Sequence, residues 1–65
     1  MNEKEQIENL TKLADCIGFA IDDARVAGIA QQTVILPDNM PTLEDLLLAA
    51  RTLAVHKLRT LGVDY

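Results

Sequence analysis

The side chains that could support catalysis are few and lie far apart in the sequence. Cys16 and His56 are the sole cysteine and the sole histidine, and their local sequence offers nothing to orient a nucleophile–base pair. Asp22 and Asp23 are adjacent, so on a helix their carboxylates diverge by about 100° and cannot act on one bond. Three scattered glycines make no phosphate-binding loop. We therefore expect no catalytic residues and predict that the protein is not an enzyme.

Crosslinks that commonly stabilise small proteins are also not expected. One cysteine and one histidine fall short of the four ligands of a structural zinc site, so no metal and no cofactor are expected. We expect Cys16 to be a reduced, partly buried thiol, with an intermolecular Cys16 disulfide as the alternative. A chain of 65 residues has a small core and needs either a crosslink or oligomerisation. Association is the remaining source of stability.

Composition and charge restrict the class of partner. The chain is 49% hydrophobic with a net charge of −4, which is typical of a globular, acidic domain. Negative charge opposes nonspecific binding to nucleic acid, which is therefore not the expected partner. The polar first residues do not resemble a signal peptide, and no apolar run approaches the roughly 20 residues of a membrane span. We expect a cytoplasmic protein that does not bind membranes.

The first half of the chain has the period of an amphipathic helix. Apolar residues recur at spacings of three and four, and Leu13, Ala20 and Ala27 widen the stripe on one side. Gly28 is a weak point, and the helix could end there. We predict the longer helix, over about residues 3–31, because residues 29–32 carry no stop signal. The main stripe consists of Ile7, Leu10, Ala14, Ile17, Ile21, Ala24 and Gly28.

Two prolines interrupt the helical pattern and predict a connection over about residues 32–42. Pro37 and Pro41 disfavour helix at the residues before them. The apolar segment 34–36 is expected to pack over the helices as a lid, and a short edge strand pairing with a second copy is the alternative. A ten-residue connection is too long for a DNA-reading helix-turn-helix, whose turn is about 3–4 residues.

A second amphipathic helix is predicted over about residues 43–61. Thr42 is the expected N-cap, and Asp45 three residues later gives a near-match to a capping box. Gly62 is the expected residue just past the helix end. The main stripe contains Leu43, Leu46, Leu47, Ala50, Leu53, Ala54, Leu58 and Leu61.

The whole chain, residues 1–65, is thus predicted to be one all-α domain, a two-helix antiparallel hairpin. Each helix also carries a second apolar strip, away from the main stripe, that a lone hairpin would leave exposed. We expect this strip to join two copies as a homodimer, a four-helix bundle, with Arg51 and Arg59 near Asp22 and Asp23 of the neighbour. The predicted interface residues are Cys16, Phe19, Val26, Ile29, Leu48 and Val55.

These features together predict a small non-enzymatic protein–protein interaction module acting as a helical homodimer. A short acidic chain is typical of accessory, regulatory or inhibitor proteins, such as those of phage or plasmid genomes. One alternative is an RNA-binding helical bundle that uses the basic edge of the second helix, Arg51 and Arg59. Another is a structural subunit of a larger complex, in which the exposed strip contacts a different protein.

Overall fold

The molecule is built from two helices packed against each other. The computed structural model describes residues 2–65, and over that range it contains α1 (Glu3–Val26), α2 (Leu43–Thr60) and no β-strand. The predicted all-α hairpin is confirmed.

The two helices run antiparallel. Arg25, near the end of α1, pairs with Glu44 at the start of α2, the Nε to Oε1 distance being 2.5 Å. Further along, Gly18 lies beside Arg51, and Ala14 packs with Ala54. The contact positions fall along α1 as they rise along α2, so the connection sits at one end of the hairpin.

The first helix ends five residues earlier than we predicted. Gly28 has φ +77°, a left-handed conformation that costs L-residues about 1–2 kcal/mol and suits glycine. The amide of Gly28 donates to the Arg25 carbonyl, and that of Ile29 donates to the Ala24 carbonyl. These two bonds are a Schellman motif, which satisfies the last carbonyls of the helix. Gly28 is therefore a stop signal, and the prediction of a helix to residue 31 was wrong.

The second helix begins and ends with the predicted capping residues. The Thr42 side chain accepts from the Asp45 amide while the Asp45 carboxylate accepts from the Thr42 amide, a complete capping box. At the other end Gly62 has φ +85°, and Val63 donates to the Leu58 carbonyl. The predicted range of 43–61 agrees with the observed helix to within one residue.

Residues 32–42 form an irregular antiparallel arm. Thr33 and Thr42 make an isolated bridge, and the Val34 amide donates to the Pro41 carbonyl at 2.7 Å. Ile35 near the tip is 82% exposed. The expectation that residues 34–36 cover the helices as a lid was therefore wrong, because the segment pairs with the return half of the arm instead.

The core between the helices is thin. Half of the buried apolar residues are alanines, and Leu58 is the one large side chain that is fully buried within residues 2–65. A central cluster of Ala14, Ala54 and Val55 is covered by Leu10 and Tyr65. Small core residues bring the backbones close but remove little apolar surface from water. Neither helix in the described range is long and apolar enough to cross a membrane.

Candidate interaction surface

One face of the hairpin carries an apolar groove between the two helices. Toward the far end from the arm, the groove is a hollow of about 370 Å³ with almost no polar surface. We call this half the leucine end. Its lining residues are Leu10, Leu13, Ile17, Ala50, Leu53, Ala54 and the stem of Lys57.

A second hollow, of about 410 Å³, lies nearer the arm, and the two hollows together are the groove. Leu13, Ala20 and Ala27 are spaced by seven residues, as are Leu43 and Ala50, so the two hollows lie on one side of each helix. We call this half the alanine end, since three alanines in α1 and just after it line the hollow. Its lining residues are Ala20, Asp23, Ala24, Ala27, Ile29, Leu43 and Leu47.

The groove exposes large side chains that sequence reasoning assigned to the inside of the hairpin. Leu53 is 71% exposed and Leu13 is about half exposed, although Leu53 belongs to the main stripe of α2 and Leu13 widens that of α1. Alternating spacings of three and four give a narrow seam for one partner helix, and further apolar positions beside it widen the stripe enough to contact a second one. The widening of the stripe by Leu13, Ala20 and Ala27 was the sequence signal that could have identified this face.

Val55 does not belong to an exposed strip. It is 8% exposed and packs with Ala14 and Ala54 in the central cluster, so the prediction of an accessible Val55 was wrong. The physical reason is that α1 and Tyr65 cover that side of α2. The sequence placed Val55 away from the main stripe of α2, but that stripe turns partly away from α1 and leaves Leu53 exposed.

The other predicted interface residues are accessible but do not form one patch. Cys16 is a free, exposed thiol rather than a partly buried one. Phe19 and Val26 are 69% and 90% exposed on α1, and Leu48 is partly exposed on α2. Ile29 is separate from them because it lines the alanine end of the groove. Their role in association stays a prediction.

The opposite face of the hairpin carries a polar cluster around Tyr65. The phenol of Tyr65 donates to the Asp15 carboxylate, and the Arg51 guanidinium lies 5.9 Å from the centre of the Tyr65 ring. Arg59 donates to the Tyr65 carbonyl at 3.4 Å. Both arginines predicted to reach acids of a neighbour thus contact Tyr65 of their own chain.

Two ionisable groups are perturbed by these contacts. The hydrogen bond to Asp15 raises the pKa of Tyr65, with partial burial adding to the effect. The hydrogen bond to Glu44, reinforced by its charge, raises the pKa of Arg25. In both cases a nearby carboxylate accepts a hydrogen bond from the protonated group. The bond stabilises that protonated form and so raises its pKa. Both belong to contacts that hold the hairpin together.

The described residues give no indication of a metal centre. Within residues 2–65, no group of three or more His, Cys, Asp or Glu side chains is placed to hold a metal ion. Cys16 and His56 are both exposed, on different helices.

Comparisons with other proteins identify no relative. No protein-family model matches the chain. No curated protein and no solved structure shows significant similarity to it.

Proposed function

We propose that this protein is a small non-enzymatic interaction module that associates with a second copy through the apolar groove, forming a four-helix bundle. The observation that carries the proposal is the groove itself. Leu53 and Leu13 project into a hollow with almost no polar lining. Contiguous apolar surface of this kind is typical of contact sites.

The thin core gives a second reason for association. A 65-residue chain with an alanine-rich core buries too little apolar area to offset its loss of conformational entropy comfortably. A second hairpin over the groove would bury Leu13, Leu53 and Ala50 at once. Each fully buried leucine contributes about 1.5–3 kcal/mol, so the groove offers stabilisation that the hairpin alone lacks.

The polar face supports the alternative of RNA binding less well. Arg51 and Arg59 are both directed to Tyr65, and Asp15 and Asp22 line the same hollow as Arg51. Carboxylates at this position repel phosphate. We therefore retain protein association as the proposed function.

Two single substitutions distinguish the groove from the strip predicted by sequence. Leu53→Glu introduces a charge into the groove, and Phe19→Glu introduces one on the outer side of α1. Because both side chains are largely exposed in one hairpin, neither change should unfold the monomer. We expect sedimentation of Leu53→Glu to give a monomer, while Phe19→Glu keeps the native mass of the unmodified protein.

The reverse pattern would contradict the groove and favour the strip containing Phe19. Circular dichroism of both variants checks that the helices persist. If both variants remain associated, the groove is not the surface through which the protein associates.

A further inference from the structure

We propose that the arm, residues 32–42, binds an extended, basic strand of a partner protein along its open edge at residues 33–35. Proteins commonly bind peptides in this way, by adding a strand to an exposed sheet edge. Both hollows of the groove are lined by residues before and after the arm. The partner strand is therefore additional to the second copy, and its binding can be tested separately.

The hydrogen bonds of the arm show which backbone groups are already used. The Val34 amide donates to the Pro41 carbonyl at 2.7 Å, and the Leu36 amide donates to the Asn39 carbonyl at 3.0 Å. The N–H and C=O of one residue lie on the same side of an antiparallel strand, and this side alternates along the chain. The residues on either side of Val34 therefore direct their backbone groups away from the return half of the arm.

These outward groups belong to Thr33 and Ile35 and form an open edge. Within residues 2–65 neither amide donates a hydrogen bond and neither carbonyl accepts one, and both residues are exposed. Two amides and two carbonyls are thus available, spaced by about 7 Å along the chain as in any strand. A further strand laid beside residues 33–35 would pair with all four groups.

The edge has none of the features that keep exposed strands from pairing. Natural proteins usually protect such edges with lysine, proline or a bulge, whereas residues 33–35 are uncharged and β-branched, a composition that favours strands. The return half offers no comparable edge. The Thr42 amide donates to Asp45, and the Thr42 carbonyl accepts from Leu46, so its outward groups are occupied by α2.

Apolar side chains lie next to the open edge. The register that pairs Thr33 with Thr42 places Ile35 opposite Met40 on the same face of the arm. Ile35 is 82% exposed and Met40 is 68% exposed. A strand beside residues 33–35 would bring its own side chain next to Ile35 and remove apolar surface from water. The partner strand should therefore carry an apolar residue at alternate positions.

Charge selects a basic strand over a second copy of the arm. Residues 22–45 carry five acids and one base, a net charge of −4 that equals the net charge of the whole chain. The single base, Arg25, pairs with Glu44. A second arm would bring the same negative charge, and like charges at an interface oppose binding. Lysine or arginine on the added strand would be attracted. The acids are Asp22, Asp23, Asp38, Glu44 and Asp45.

Amide hydrogen exchange followed by NMR tests the pairing directly. The probe is a capped peptide of about six residues, the usual length of a strand, in which lysine and valine alternate. We expect the Thr33 and Ile35 amides to exchange freely in the protein alone and at least about tenfold more slowly with saturating peptide. The Val34 and Leu36 amides, already bonded within the arm, should change less. Added salt should weaken binding, because it screens the charges.

A pair of substitutions at one position isolates the backbone edge. Ile35→Pro removes an outward amide without removing any hydrogen bond inside the arm. Ile35→Ala is the matched control, because it removes most of the side chain and keeps the amide. We expect Ile35→Pro to bind the peptide at least about tenfold more weakly than Ile35→Ala, since a carbonyl of the peptide loses its donor. Circular dichroism checks that the helices persist in both variants.

The outcomes distinguish the arm from the groove. Leu53→Glu should bind the peptide as strongly as the unmodified protein, whatever its native mass. Absence of peptide binding, unchanged exchange at Thr33 and Ile35, or equal affinities of Ile35→Pro and Ile35→Ala would overturn the proposed strand partner and leave the groove unaffected. Protection of these two amides in the protein alone, increasing with its concentration, would overturn it in favour of a second copy on the edge.

Discussion

At the scale of single residues, Tyr65 connects segments that are distant in the sequence. Its ring covers the central cluster of Ala14, Ala54 and Val55, and its phenol donates to Asp15 on α1. The helical pattern of the sequence ends before Tyr65 and did not predict this role. A lone aromatic outside the two helical stripes has no periodic signal, so its position depends on tertiary packing.

The Tyr65 contact predicts an abnormal titration. Tyr65 is the only tyrosine and the chain has no tryptophan, so the ultraviolet absorbance of tyrosinate reports this group alone. We expect a midpoint above the ordinary tyrosine pKa of about 10, because the bond to Asp15 favours the protonated phenol. Asp15→Ala should lower the midpoint toward that value, while Asp22→Ala should change it little.

The raised pKa of Tyr65 also determines how the stability of the protein depends on pH. A raised pKa in the folded state means that the phenol contributes stability fully below about pH 10. That contribution is lost as the pH rises through the raised pKa. The Tyr65→Phe variant lacks the phenol and its hydrogen bond. Its free energy of unfolding should therefore fall less between neutral and alkaline pH than that of the unmodified protein. A normal midpoint for Tyr65 would contradict the observed bond.

At the scale of the helices, the capping residues in the sequence predicted a helix boundary wherever they were recognised as such. Thr42, Asp45 and Gly62 occupy the expected positions at the ends of α2. The error at the end of α1 came from treating Gly28 as an interior helix residue rather than as the residue after the C-cap. The apolar residue Ile29 after it completes the Schellman pattern.

Two glycines in α1 and just after it should respond oppositely to alanine. Gly18 is inside the helix, and an added Cβ would lie 3.9 Å from Arg51 Nε, an ordinary contact. Gly18→Ala should therefore raise the free energy of unfolding by about 0.5–1 kcal/mol. Gly28→Ala should lower it by about 1 kcal/mol, because Gly28 has φ +77° although nothing crowds it.

Urea denaturation of both variants at one protein concentration checks this pair. Because Gly28 has open space around it, a loss there reports the backbone conformation and not a clash. Equal effects of the two substitutions would contradict the assignment of Gly28 as the stop signal of α1.

At the scale of the whole molecule, the sequence predicted the hairpin but not which face it leaves open. Helical periodicity shows which side of a helix is apolar. It does not show which edge of a wide apolar stripe faces the partner helix. Here α2 turns so that Val55 and Leu58 are buried while Leu53 is exposed. The predicted strip around Phe19 and Leu48 and the observed groove are therefore different surfaces, and only packing distinguishes them.

Self-association through the apolar groove is tested most directly by the native mass of the unmodified protein. Light scattering over a range of concentrations should give twice the chain mass of 7.2 kDa, with dissociation to a less stable monomer at the lowest concentrations. A folded monomer of 7.2 kDa at every concentration would contradict the account, since the groove would then be stable in water without a second copy.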